Sequence, residues 1–276
     1  MFLVSGATGN VGGELVRALV SAGEQVRALT RGGEPSALPP SVEVATGDLN
    51  QPDSLKSGLR GVRGVFLLSG YADMPGLLSA IREAGVERVV LLSGSSAESG
   101  DTTNAISAYM IASETAVRDS GLSATILRPS AFMSNTLQWA GQLRAGDVVR
   151  APFAHAAAAT IDPQDIGAVA AETLVGSGHD SLIYRLTGPE PLRPADRVRI
   201  LGGVLYRGLR FEAQSDAEAR VEMTETMPVE YVDASFNFYV DGALDESMVL
   251  PTVQQLLGRP PQSFEQWAHA HADAFR

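Results

Sequence analysis

The apolar run at 2–5 passes directly into Gly6-Ala7-Thr8-Gly9-Asn10-Val11-Gly12-Gly13, and from there into a stretch carrying Val11, Leu15, Ala18, Leu19 and Ala22 at helical spacing. A strand, a glycine-rich turn and a helix in that order leave few folds open. The glycines at 6, 9 and 12 have separate mechanical tasks. Gly6 permits the tight turn out of the strand, Gly9 lets the backbone come close to a bound group, and Gly12 lets the helix pack near the sheet. The helix that follows presents unpaired N–H groups and a partial positive charge, which suits a pyrophosphate. Gly6, Thr8, Gly9, Asn10, Val11 and Gly12 are therefore expected to hold a dinucleotide. A glycine-rich turn without a ligand is the plainer alternative, and the strand–turn–helix context weighs against it.

The next hundred residues repeat the alternation. Strands are expected at 25–30, 42–46, 62–69, 88–93 and 123–127, with helices at 52–59, 75–84 and 106–119. Val65-Phe66-Leu67-Leu68 and Val89-Val90-Leu91-Leu92 are apolar on both faces, as in a parallel sheet covered on both sides. The expected fold class is α/β: a doubly wound parallel sheet of Rossmann type over 1–150, with a smaller C-terminal substrate lobe over 151–276. In that lobe 166–175, 194–205 and 263–275 read as helices, aromatics cluster at 231–239, and 182–187 reads as a strand able to return to the main sheet. The segment 32–40 reads as a polar loop.

The end of the second strand selects the cofactor. A carboxylate there would bind the ribose 2′-hydroxyl and favour NAD. This chain has Thr30-Arg31-Gly32-Gly33, with no acid before Glu34. Arg31 can pair with a 2′-phosphate, so NADP(H) is expected in preference to NAD(H); a solvated loop arginine is the alternative. Asp48, followed by Leu49, either accepts a hydrogen bond from the adenine amino group or holds a turn. Leu68, Ser69 and Ser93 stand at strand ends, where ligands of such sheets sit, and are expected to line the cofactor.

With no cysteine, disulfides, thiolate metal sites, iron–sulfur clusters and cysteine nucleophiles are excluded. No HExxH motif or aspartate cluster suggests a metal, and His269 and His271 are two apart on one helix, facing different sides. A formal net charge of −11 disfavours direct nucleic-acid or anionic-membrane binding. No apolar run reaches the ~20 residues of a membrane helix, and no basic segment followed by an apolar one precedes the first strand. A cytoplasmic monomer or homodimer is expected.

GATGNVG, Thr30-Arg31, Gly47-Asp48-Leu49, Leu91-Leu92-Ser93, Asp119-Ser120-Gly121-Leu122, Leu127-Arg128-Pro129, Asp162-Pro163-Gln164-Asp165-Ile166-Gly167 and Tyr184-Arg185-Leu186-Thr187-Gly188 together resemble the NmrA-like branch of the atypical short-chain dehydrogenase/reductases. That resemblance implies a Rossmann domain with a small substrate lobe. The group holds NADPH-dependent quinone and azo-dye reductases, isomerase-like enzymes, and regulators that bind the cofactor without turning it over.

In short-chain dehydrogenases a Ser, a Tyr and a Lys four residues after the Tyr transfer protons, the Lys lowering the tyrosine pKa by its charge. Here Ser93, Ser95 and Ser96 follow the fifth strand, Tyr109 lies on the next helix, and Ser113 stands where the Lys would be. Ser95 and Tyr109 are the catalytic candidates, with Tyr109 unprimed as a base and packing or substrate lining its alternative. His155, in Pro152-Phe153-Ala154-His155, is a third, with a structural role as its alternative. Phe132, Met133, Asn135 and Trp139 follow the sixth strand and point either to a hydrophobic or aromatic substrate or to lobe packing. The reading expected is an NADP(H)-dependent oxidoreductase passing hydride to a quinone, carbonyl or similar electron-poor compound. The alternative is a non-catalytic, redox-sensing NADP(H)-binding regulator. A cofactor-retaining isomerase is disfavoured by the missing Tyr–Lys pair.

Overall fold

Alternation along β1 (Phe2–Val4) puts Phe2 and Val4 on one face and Leu3 on the other, and the two faces enter different cores. The computed structural model describes residues 1–32 and 38–276; Gly33 and Glu34, with most of the expected 32–40 loop, lie outside the described residues. After β1 come α1 (Asn10–Ser21), β2 (Val26–Thr30), β3 (Glu43–Thr46), β4 (Gly64–Leu68), α2 (Met74–Glu83), β5 (Arg88–Leu92), α3 (Ala105–Asp119) and β6 (Ser123–Pro129). Then follow α4 (Ala140–Ala145), β7 (Val148–Ala151), α5 (Pro163–Val175), β8 (Ile183–Leu186), α6 (Pro194–Leu205) and β9 (Arg210–Ala213). The chain ends with α7 (Asp216–Thr224), α8 (Val229–Tyr239), α9 (Thr252–Leu257) and α10 (Phe264–Ala270).

The described strands form a seven-stranded sheet in the order β3-β2-β1-β4-β5-β6-β8, every neighbouring pair parallel. This is the doubly wound sheet expected from the alternation. Helices α1 and α5 cover one face through Leu15, Leu19, Ile166 and Val169. Helices α2 and α3 cover the other through Leu77, Ile81 and Val117. Strand β8 pairs with β6 and extends the sheet.

A third core, outside the sheet, gathers Met133, Trp139, Leu143, Val149, Leu201, Phe264, Trp267 and Phe275. Met133 and Trp139 are thus lobe-packing residues, the second of the two roles open to them. Layer and chain order diverge here: 133–151 joins the lobe core, whereas α5 and β8, later in the chain, belong to the sheet layer.

Two local expectations are corrected, and one element is new. The helix expected at 52–59 is a single 3₁₀ turn, Pro52–Leu55. The helix expected at 263–275 breaks at His271, whose Nδ1 lies 2.8 Å from the Trp267 carbonyl oxygen, and Ala272–Phe275 continues as a 3₁₀ turn. Parallel β7 and β9, four residues each, form a second, two-stranded sheet where no strand is expected.

Candidate functional site

The glycine turn has the form its spacing implied. Gly6 lies at φ +60°, in the left-handed region, and a Cβ on Gly12 would fall 2.6 Å from Gly6 C and closer still to Gly6 O. Helix α1 has Gly9 as N-cap with no side-chain cap and no acid in its first turn. Its leading N–H groups are therefore left for an anion. Asn10 Nδ2 donates to Ser134 Oγ at 3.2 Å and ties the turn to the segment after β6. Val11 is buried in the core beneath, and Thr8 is exposed.

From this turn a cleft of about 710 Å³ extends over the tips of β1, β2 and β4. Gly6, Thr8, Thr30, Arg31, Asp48, Leu49 and Leu68 line it, together with Tyr71, which the sequence did not single out. Thr30 Oγ1 is buried there with no partner among the described residues. Arg31 is exposed and makes no hydrogen bond or ion pair to any described residue. A buried hydroxyl unpartnered among the described residues beside an exposed guanidinium, at the end of the second strand, fits a phosphorylated ribose. The Asp48 carboxylate accepts from Asn50 N at 2.9 Å and Gln51 Nε2 at 3.2 Å, so the turn-holding role is present whatever else it does.

Two serines expected at the ligand are committed elsewhere. Ser69 Oγ donates to the Leu92 carbonyl at 2.9 Å. Ser93 Oγ donates to Glu114 Oε1 at 2.7 Å, inside a buried network in which Arg128 grips the same carboxylate through Nε and Nη2. The Ser93 hydroxyl proton is thus held by internal structure.

Ser95, at the tip of β5, has a partner from far along the chain. Its Oγ lies 2.6 Å from Glu246 Oε1, which also accepts from Ala131 N at 2.9 Å, and Tyr239 on α8 donates to Glu246 Oε2 at 3.1 Å. Glu246 is 6% exposed, and burial raises its pKa against the opposing pull of these hydrogen bonds. It lies between α8 and α9 without periodicity to mark it, 151 residues from Ser95, and no local signal could have found it.

Tyr109 packs across Gly70, beyond the tip of β4, and meets Tyr231 of α8 edge-on at 6.4 Å. Burial first, and Tyr231 second, raise its pKa. Ser113, in the position a lysine would take, is buried; it accepts from Gly70 N at 3.0 Å and donates to the Tyr109 carbonyl at 2.7 Å. The place of the priming cation is therefore filled by a hydroxyl that caps a backbone amide. No hydrogen bond joins Tyr109 to Ser95. His155 is exposed in the turn after Phe153, with no hydrogen bond to either. Among the described residues no cluster of three or more His, Asp or Glu side chains could hold a metal ion, and no helix is long and apolar enough to cross a membrane.

The sequence pattern of a family described as NAD(P)H-binding matches residues 6–175, more than half of the chain. The chain belongs to this NAD(P)H-binding family. It is 39% identical over 282 residues to the (4-alkanoyl-5-oxo-2,5-dihydrofuran-3-yl)methyl phosphate reductase of Streptomyces griseus, covering 100% of this chain and 99% of that one. It is 33% identical over 286 residues to an NAD(P)H azoreductase of Xenophilus azovorans, covering 100% and 99%. Among solved structures it resembles an NADPH-dependent quinone oxidoreductase of Escherichia coli, with TM-score 0.80, 22% identity and coverage of 99% and 100%. It also resembles a triphenylmethane reductase of Citrobacter sp., with TM-score 0.82, 21% identity and the same coverage. Those structures share the fold. By its full-length kinship the family member described here is an NAD(P)H-dependent oxidoreductase.

Proposed function

We propose that this protein is an NADP(H)-dependent reductase of electron-poor organic acceptors, a quinone or a carbonyl-conjugated alkene, held between the tips of β4–β6 and helix α8. The observation that carries the reading is the Ser95–Glu246–Tyr239 chain of hydrogen bonds at the tip of β5. It supplies a proton-bearing hydroxyl backed by a buried acid, on the same edge of the sheet as the dinucleotide turn. The name of the S. griseus relative describes a ring alkene flanked by two carbonyl groups, an acceptor of this class. Cofactor binding falls to the sheet layer, and acceptor binding to the lobe formed by 133–151 and the chain from 190 onward.

The bound cofactor supplies hydride, and this chain's residues manage position and protons. Burial keeps a proton on Glu246 to higher pH than an ordinary carboxyl. A neutral Glu246 does not require the Ser95 proton, so the Ser95 hydroxyl is free to turn toward the acceptor oxygen. As electron density moves onto that oxygen, Ser95 donates to it and Glu246 restores the Ser95 proton. His155 has no part in this route. The raised pKa of Tyr109 leaves it a neutral hydrogen-bond donor that orients the acceptor.

Steady NADPH consumption with a panel of quinones and conjugated ketones is the expected result. Tight NADPH binding with no turnover across the panel would favour the regulator, the reading that Ser113 in place of a lysine supports. Tyr109→Phe is expected to lower kcat/KM by no more than ~10²-fold between pH 6 and 9, the lower edge for a positioned acid or base. A loss above ~10³-fold with a new pH dependence would mean the tyrosine is primed by some other group.

Thr30 and Arg31 point to NADPH over NADH. Removing one charge-assisted phosphate contact costs about 1.5–3 kcal/mol, roughly 10- to 150-fold in Kd. Arg31→Ala should weaken NADPH by that factor and leave NADH nearly unchanged when both are titrated by calorimetry. Equal affinities in the parent would refute the assignment.

A further inference from the structure

The half-buried guanidinium of Arg197 faces no anion among the described residues. Arg197 is in the first turns of α6, with its Cζ 5.1 Å from the centroid of the Trp139 ring. Its Nε is sealed from solvent without a hydrogen bond, and the side chain forms no hydrogen bond or ion pair with any described residue. Trp139 Nε1, on the ring it covers, is also buried and unpartnered. Burial pushes the arginine pKa down to about 10, with Tyr239 close enough to oppose this slightly. A charge partly taken out of water with no counter-ion carries a cost, and an aromatic face returns only part of it. A chain with formal net charge −11 has ample acid to spare, yet no described acid is paired with Arg197.

The position gives the unpaired guanidinium a use. Tyr239 lies within electrostatic reach of Arg197 and donates to Glu246, which holds Ser95. The cation is therefore on the lobe side of the hydrogen-bonded group assigned to proton transfer. We infer that Arg197 forms an anion subsite that receives a phosphate monoester carried by the acceptor. A planar guanidinium matches phosphate oxygens in paired hydrogen bonds. The inference rests on the reductase reading and adds to it a substrate class: an electron-poor unsaturated carbonyl compound bearing a phosphate. The S. griseus relative, whose name includes a methyl phosphate, fits that class.

The test compares a (hydroxymethyl)butenolide bearing a 4-alkanoyl group, its phosphate ester, and the uncharged quinone menadione, each with NADPH. The parent is expected to favour the ester over the free alcohol by on the order of 10- to 100-fold in kcat/KM, the range of a charge-assisted contact. Arg197→Met should bring that ratio close to one, and Arg197→Lys should recover part of it. Turnover of menadione with equal rates for ester and alcohol would overturn the subsite and leave the reductase reading standing. A second arm does not depend on turnover. With saturating NADP⁺ occupying the cofactor's own phosphate sites, inorganic phosphate should raise the Tm of the parent and not that of Arg197→Met. Arg197→Met should itself fold about as stably as the parent, because the half-buried charge it removes has no counter-ion and its apolar chain keeps the contact with Trp139. An equal phosphate response in both proteins would also overturn the subsite.

Discussion

Glu114→Ala is expected to cost about 3–5 kcal/mol of folding stability, the range for removing one partner from a buried ion pair. Glu114 is 1% exposed on α3. Its Oε1 accepts from Ser93 Oγ at 2.7 Å and Arg128 Nε at 2.8 Å, and its Oε2 accepts from Arg128 Nη2 at 2.7 Å and from Arg118. Deleting the carboxylate strands a half-buried arginine and a buried hydroxyl. Burial alone would raise the Glu114 pKa, but the hydrogen bonds from Arg128 and Ser93 and the charges of Arg128 and Arg118 outweigh it and hold it below the ordinary value. A folded-state pKa below the unfolded one contributes stability above the unfolded value, near ~4.3, that is lost as pH falls through the lower folded value. Urea unfolding at pH 7 and at pH 3 measures both effects. The parent should lose stability between those pH values by more than Glu114→Ala does, and a loss at pH 7 under ~1 kcal/mol would show the network to be weak. Ser93 opens the loop that carries Ser95, and α3 carries Tyr109, so this network braces both sides of the proposed site.

Gly9→Val and Gly12→Val should fail in different ways, and the difference tests the dinucleotide turn. Gly9 has φ −87° and ψ 177°, an extended backbone that any residue adopts, and a Cβ there would lie 3.2 Å from Gly6 O. The valine variant should fold, with near-parental circular dichroism, while its branched side chain takes space needed by the pyrophosphate. NADPH affinity should fall beyond ~10²-fold, the scale of losing one or two charge-assisted contacts. At Gly12 a side chain meets the Gly6 backbone itself, which has no rotamer to yield. Gly12→Val should therefore lose about 3 kcal/mol or more of stability as well as binding, at the upper end of overpacking costs. Retained NADPH binding by Gly9→Val, measured by calorimetry, would mean that the phosphates do not cross this turn.

The parts legible in the sequence are those whose cause is local. Strands covered on both faces must be apolar throughout, which marked β4 and β5. Helix α6 begins at a proline in the N1 position and spans Pro194–Leu205, the range its pattern predicts. The glycine turn, with the Thr30-Arg31 end of β2, declared the kind of ligand because close backbone approach leaves no other residue type possible.

What the sequence left open depends on residues that meet only in space. The β7–β9 pair joins segments about sixty residues apart, each only four residues long, too short for their alternation to stand out from the surrounding chain. Trp139 could have faced a substrate, and only the packing of the lobe core decided otherwise. Ser93 and Ser95 are two residues apart on one loop, yet one hydroxyl is consumed by Glu114 and the other meets Glu246. By itself the sequence determined the sheet, the turn and the class of cofactor, because periodicity and backbone conformation act over a few residues. Only the tertiary structure decided which polar groups pair, since burying a carboxylate or a guanidinium is tolerable or costly according to partners brought from distant parts of the chain.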